Sequence, residues 1–377
     1  MTNNPKGMIK PAKKILTTIA CTAIISLVSQ ASFAQAGDKI RMEYPQLANL
    51  FNAFDVTQAQ AFEAISTINA QPAYSAARAE FREQLKMLKT MTTSFSSSPY
   101  PELELEARIN LLAVMRATHT DEEAKKAYVD NAAINHHMAE ILRRGRDFEN
   151  RLFEIFLDDS ISGKPEAVNA AITDYLSDDR LSVSTFPKQS EFLVEHDQAK
   201  GFKMAFPRLS SLMWTQQWLQ LASLEAIILE TLDKQFTDSV DTALERFWSK
   251  IGTEGGMSVF PPPSALPMAP AIAPDLYSQA PEAAIILDNL NILETVVADI
   301  LSYPNEEDRE AKIEAAAALF TNKEADSSPP AEYLLFALRG GIYDQGGPVI
   351  GELTRSERNR SRDVMNTRHT AFRSTGQ

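Results

Sequence analysis

The chain has 377 residues, of which 44% are hydrophobic and 23% are charged, with one cysteine and five histidines. These proportions exclude a collagen-like or disulfide-scaffolded protein and indicate a globular chain with a sizeable core. Its 37 basic and 50 acidic residues give a net charge of −13, which disfavours electrostatic capture of nucleic acid. A single cysteine excludes zinc ribbons, iron–sulfur clusters and paired-thiol redox chemistry within one chain.

The first 36 residues have the pattern of a secretory signal. Four lysines precede an apolar run, Ile15–Val28, and no acidic residue occurs before Asp38. The run is too short to span a bilayer comfortably, and Ala34 and Ala36 place small residues where a signal peptidase cleaves. The pattern predicts a signal peptide over residues 1–34, cleaved after Ala34 or Ala36. We therefore expect a periplasmic or secreted protein.

This segment has two alternative interpretations, an uncleaved anchor helix and a lipoprotein signal. An uncleaved anchor helix is disfavoured by the threonines and serine within the apolar run. Lipidation at Cys21 is disfavoured because Thr18 stands where a lipoprotein signal has a leucine-type residue. Cleavage would remove four lysines and leave 33 basic against 50 acidic residues, a net charge of −17. No membrane span and no thiol are expected after cleavage.

Helical periodicity dominates residues 38–251, which are predicted to form an N-terminal bundle. Thr120 and Glu123 have the spacing of a capping box. Beyond it, apolar residues recur on one face from Ile134 to Phe156, which predicts a single helix of about ten turns that begins at Thr120. Residues 209–236 are apolar around most of their circumference, so this helix is expected at the centre of the bundle.

Prolines are concentrated in residues 252–281, which hold seven of the chain's 20. Consecutive prolines favour extended backbone and end helices. We expect this linker to be a strap packed across the bundle by its apolar residues. The alternative is a docking segment for an aromatic groove on a partner.

Residues 282–377 are predicted to form a smaller helical part that carries a glycine-rich loop. Five of the 14 glycines lie between residues 340 and 351. Two pairs flank a short polar segment and permit positive φ and close backbone approach. The predicted ligand or partner contacts are Gly340, Gly341, Tyr343, Asp344, Gln345, Gly346 and Gly347. The alternative is a chain-redirecting turn, with Tyr343 packed on the core.

The C-terminal tail reverses the charge of the chain. Six arginines lie between residues 355 and 373, against two acidic residues. Arginine suits carboxylate and phosphate partners, so Arg358, Arg360 and Arg362 are predicted to contact an acidic protein surface or anionic lipid headgroups. Folding back onto this protein's own acidic bundle is an equal alternative.

Sequence motifs for catalysis, phosphate binding and covalent haem attachment are missing, so no cofactor is predicted and an enzyme is not favoured. His136, His137 and Glu140 are weak metal candidates, since a solvated helix face explains them better. His196, with Glu191 one turn earlier, is expected on a charged surface rather than at a cation site.

These patterns together predict an all-α, multi-helix bundle with long helices, a Pro-rich strap and a C-terminal part that ends in the Gly-rich loop and an Arg-rich helix. The expected function is an exported soluble binding or assembly component of the cell envelope, with a protein partner. The alternative is a periplasmic small-ligand or metal-binding protein, or an enzyme, with a pocket between the bundle and the C-terminal segment. In that case His137, Glu140, Tyr343 and Asp344 would be its acid–base or cation-binding groups.

Overall fold

A computed structural model describes residues 39–88, 98–252, 261–304, 308–324, 330–339 and 341–349. These ranges contain 15 α-helices and no strand, which confirms the prediction of an all-α bundle. The helices are α1 (Lys39–Glu43), α2 (Pro45–Ala70), α3 (Ser75–Leu88), α4 (Pro101–Arg116), α5 (Asp121–Val129), α6 (His136–Leu157), α7 (Lys164–Tyr175), α8 (Lys200–Ala205), α9 (Pro207–Leu232), α10 (Ser239–Gly252), α11 (Ala269–Ile272), α12 (Pro274–Gln279), α13 (Pro281–Ser302), α14 (Arg309–Thr321) and α15 (Pro330–Ala337). None of these helices combines the length and the apolar composition needed to cross a membrane.

The four longest helices, α2, α6, α9 and α13, pack against one another at the centre of the molecule. As predicted from its broad apolar surface, α9 is buried along most of its length. Helix α13 is buried almost throughout and contacts both α2 and α6. One continuous hydrophobic core runs from Ile40 to Val349. The Pro-rich segment therefore connects helices that share a single core.

The chain between Thr120 and Leu157 forms two helices, so the prediction of one helix of about ten turns is wrong. The capping box at the start of α5 is present, with Thr120 Oγ1 accepting from the Glu123 amide at 3.2 Å. The chain then leaves the helix because Asn131 donates to the Ala59 carbonyl at 2.6 Å. Asn135 caps α6 by accepting from the Met138 amide at 2.8 Å. The positions predicted to be buried between Met138 and Phe156 are buried.

Several helices are capped at their N-termini by buried carboxylates from other helices. Helix α9 begins at Pro207, and its preceding residue Phe206 has no side-chain acceptor. Glu104 of α4 accepts instead from the amides of Arg208 and Leu209, at 2.5 and 3.2 Å. Glu225 caps α12 in the same way, and burial raises the pKa of this carboxyl to about 8. These contacts satisfy helix-end donors inside the core.

Candidate functional site

Residues 341–349, here named the clasp loop, pack directly on the central helix α9. Gly341, Gly346 and Gly347 have φ values of +86°, +113° and +88°. A Cβ on Gly346 would lie 2.5 Å from Cδ1 of Trp218, so any side chain there would force the loop or the ring to move. The predicted roles of glycine, positive φ and close approach, are both present in this loop. Gly340 lies outside the described residues.

Hydrogen bonds fix the clasp loop to α9 and α10. Trp218 Nε1 donates to the Gly347 carbonyl at 3.1 Å, and Arg246 donates to the Pro348 carbonyl at 2.7 Å. The ammonium of Lys250 donates to the Gly346 carbonyl and lies 4.4 Å from the centre of the Trp218 ring. Burial of this ammonium lowers the pKa of Lys250 to about 7. The loop is thus a tightly held part of the core surface.

Gln345 and Asp344 join the clasp loop to the strap. Gln345 is 1% exposed, and its amide donates to the Ala337 carbonyl at 2.5 Å and accepts from the Met268 amide at 2.8 Å. The Asp344 carbonyl accepts from the amides of Ser264 and Ala265, both at 2.8 Å. Residues 261–268 are therefore held against the bundle. The side-chain amide of Gln345 thus links the strap to α15.

A cavity of about 290 Å³ lies where the bundle, the strap and the clasp loop meet. We name it the bundle–strap cavity. Its apolar lining is Phe192, Trp214, Ala265, Leu266, Met268 and Phe336, and its polar lining is Gln198, Lys203, Ser264, Arg339, Asp344 and Gln345. Two of the predicted loop residues thus line a pocket between the bundle and the C-terminal segment.

Aromatic rings and two cations form much of the lining of this cavity. The rings of Phe192 and Phe336 meet edge to face, with 6.2 Å between their centres. The ammonium of Lys203 lies 5.6 Å from the centre of the Trp214 ring. With Arg339, the lining has two cations against the one carboxylate of Asp344. This arrangement suits a ligand with a flat or apolar body and an anionic group.

One wall of the bundle–strap cavity is formed by a strained turn. Asp197, Gln198 and Ala199 have φ values of 41°, 58° and 52°, and they follow a π-helical turn over Glu191–Glu195. Left-handed backbone is costly for residues other than glycine, and consecutive examples persist only where the surroundings impose them. Gln198 lines the cavity. We name residues 197–199 the left-handed turn.

His196 and Asp299 hold the left-handed turn in place. His196 Nδ1 lies 2.7 Å from Asp299 Oδ2, and Nε2 lies 3.4 Å from Glu191 Oε1. Asp299, on α13, also accepts from the Phe202 amide at 2.9 Å. Burial acts to lower the pKa of His196, but the two carboxylates outweigh it and raise the pKa to about 9. The side chain of His196 is 15% exposed, so the expectation of a charged surface is wrong.

The metal candidates lie elsewhere and are already engaged. His137 Nδ1 is 2.8 Å from Glu314 Oε1, and its Nε2 is 2.9 Å from the Arg180 carbonyl. Glu140 pairs with Arg143 at 3.4 Å. Within the described ranges, no three His, Cys, Asp or Glu side chains are grouped to hold a metal ion. The bundle–strap cavity contains neither His137 nor Glu140, so the four residues suggested as one acid–base set are not brought together.

Other predicted residues are placed as follows. His136 is the first residue of α6, and Tyr343 lies in the clasp loop without lining the cavity. Arg358, Arg360 and Arg362 lie outside the described residues.

Most of the cavity lining was not singled out from the sequence. Trp214 was assigned to the apolar surface of α9, which it also forms, and Phe192, Lys203 and Phe336 come from three separate segments. Asp344 and Gln345 are the lining residues that the sequence predicted, and Arg339 directly precedes the first glycine pair. Neither family models, curated proteins nor solved structures give a match to this chain.

Proposed function

We propose that the protein is an exported helical binding component of the cell envelope, which holds a small amphipathic anion in the bundle–strap cavity. The observation that carries this proposal is the lining of that cavity: three aromatic rings, with Lys203 and Arg339 opposed by one carboxylate. Export rests on the pattern of the first 36 residues alone.

The size and lining of the cavity support a small ligand. Its volume of about 290 Å³ is near the lower end of small-molecule sites, which are about 300–1,000 Å³. Aromatic and aliphatic side chains would cover the apolar body of the ligand and remove its surface from water. The guanidinium of Arg339 can donate two parallel hydrogen bonds to a carboxylate or phosphate. The preferred ligand therefore carries one negative charge at the end of an apolar body.

Hydrogen bonds within the protein hold the walls of the cavity in place. Gln345 ties the strap to α15, His196 and Asp299 hold the left-handed turn, and Trp214 donates to Thr295 at 3.3 Å. A preformed site avoids the entropic cost of ordering side chains on binding.

A fluorescence titration with anilinonaphthalene sulfonate, an aromatic anion, tests the proposal. We expect saturable binding to one site and energy transfer from the tryptophans, of which Trp214 lines the cavity. Phe336→Ala should weaken binding about tenfold, because it removes one aromatic wall. Leu335→Ala is the matched control, since Leu335 is the preceding residue of α15 and is 74% exposed. Equal affinities for the two variants would contradict the assignment of the cavity.

A second candidate is an assembly role for the tail. Six arginines against two acidic residues between positions 355 and 373, in an otherwise acidic chain, favour a partner with an acidic surface or anionic headgroups. This role is compatible with a ligand in the bundle–strap cavity.

A further inference from the structure

A second cavity, of about 390 Å³, lies among α1, α2, α5, α6 and the C-terminal end of α7. We name it the charged cleft. Five cationic and five acidic side chains line it, so its formal charge is balanced. It shares no lining residue with the bundle–strap cavity. A ligand in the charged cleft would therefore bind independently of the function proposed above.

The floor of the charged cleft is a carboxylate with one unused oxygen. Asp55 is 6% exposed, and its Oδ1 accepts from Arg146 Nε at 2.6 Å. Its other oxygen, Oδ2, accepts no hydrogen bond from any part of the chain that the structure describes. Arg146 is committed, because its guanidinium also donates to Glu149. A ligand that reaches the floor meets a carboxylate acceptor.

Behind the floor, a layer of buried polar groups crosses the four central helices. Tyr128, which also lines the cleft, donates to Gln58 Oε1 at 2.8 Å and lies 3.4 Å from Glu294 Oε1. Gln58 Nε2 and Gln217 Oε1 are buried and have no hydrogen-bond partner. Buried amide groups in native proteins are nearly always satisfied by protein, water or ligand. The floor is thus built for polar contacts rather than for an apolar occupant.

The rim of the charged cleft carries one charged group of each sign that forms no direct ion pair within the described ranges, although Lys125 lies close enough to Asp121 and Asp147 to act to lower the pKa of each carboxyl. Most rim charges are paired, as in Arg41–Asp121 at 2.5 Å and Arg143–Asp147 at 2.9 Å. Lys125 and the carboxylate of Asp174 form no ion pair or hydrogen bond with described residues. Lys125 lies on the same face of α5 as Tyr128, one turn away. The cation is therefore at the mouth and the free carboxylate oxygen is at the floor.

We propose that the charged cleft binds a small zwitterion, an amino acid or dipeptide, with its ammonium group at Asp55 and its carboxylate at Lys125. An ammonium group supplies the donor that Asp55 Oδ2 lacks, and the balanced lining disfavours both polyanions and polycations. The volume accommodates a dipeptide with water.

Isothermal titration of the full chain with alanyl-alanine and with the 20 free amino acids tests this proposal. At least one zwitterion is expected to bind saturably. Its methyl ester, which lacks the carboxylate, and its N-acetyl form, which lacks the ammonium, are expected to bind at least about tenfold more weakly.

Two neighbouring lysines provide the matched variants. Lys125→Gln should weaken the bound zwitterion about fivefold, as expected for one solvent-exposed ion pair. Lys126→Gln removes the same charge from the same helix, but Lys126 pairs with Glu122 and does not line the cleft. It should leave binding unchanged. Asp55→Asn should abolish zwitterion binding, and circular dichroism checks that this variant is folded. If it is not folded, the comparison of Lys125→Gln with Lys126→Gln tests the proposal on its own.

Three results would overturn the proposal. These are no saturable binding by any of the probes, equal binding of the ester or N-acetyl form, and equal affinities of the two lysine variants. Phe336→Ala should weaken ligand binding in the bundle–strap cavity and leave zwitterion binding in the charged cleft unchanged. The two sites are therefore tested separately, and a failure of one proposal can be distinguished from a failure of the other.

Discussion

Gly346 and Gly341 both have positive φ, +113° and +86°, in very different surroundings. Positive φ costs any residue other than glycine strain. A Cβ on Gly346 would overlap Trp218, whereas a Cβ on Gly341 would have no heavy atom within 4 Å. The two positions therefore separate the cost of conformation from the cost of close approach.

Alanine at these two positions should have unequal effects on stability. Gly341→Ala is expected to lower the free energy of unfolding by about 1 kcal/mol, from backbone strain alone. Gly346→Ala should lower it by about 3 kcal/mol, because the loop must also move away from the Trp218 ring. Urea unfolding followed by tryptophan fluorescence measures both. Similar losses would show that the clasp loop does not press on α9 as described.

At the scale of elements, the left-handed turn depends on a protonated histidine. The pKa of His196 is raised to about 9 by Asp299 and Glu191, against an unfolded value of about 6.5. A raised pKa gives stability that is complete below about pH 6.5 and is lost as the pH rises through about 9. We expect the wild-type protein to lose more stability between pH 6.5 and pH 9.5 than His196→Gln does. Urea midpoints across this range measure the difference, and parallel pH profiles would refute it.

Elements with local signals were predictable from the sequence, and contacts between distant segments were not. The capping box at Thr120 and the buried face of α6 follow from spacing alone. The break before α6 depends on Asn131 reaching Ala59, and the start of α9 depends on Glu104, about a hundred residues earlier. Neither of these long-range hydrogen bonds produces a pattern that can be recognised in the sequence.

In the candidate site, too, features with a local sequence signal were predictable and contacts between distant segments were not. Composition located the glycine-rich loop, because positive φ and close approach require glycine. The loop's role as a clasp depends on Trp218, Lys250 and the strap, which meet it only in the folded chain. The cavity lining could not be predicted, since Phe192, Trp214 and Phe336 are typical core residues in their own segments.

At the scale of the whole molecule, an acidic helical body is joined to a basic tail. We predict that crosslinking in intact cells recovers a specific partner, and that Arg358, Arg360 and Arg362→Glu abolish its recovery through charge repulsion. Lysine at the same three positions keeps the charge and is the matched control. The same mass spectra should show a mature N-terminus at Gln35 or Gly37. Recovery that survives the glutamate substitutions, with helicity unchanged, would argue against partner docking by the tail.

The central claim concerns the charge preference of the bundle–strap cavity. Displacement of bound anilinonaphthalene sulfonate by phenylacetate and by phenethylamine tests it most directly, because these ligands share a ring and differ in charge. With Lys203 and Arg339 against one carboxylate, phenylacetate is expected to displace the dye at concentrations at least about tenfold lower. Equal displacement, or a preference for the amine, would contradict the account.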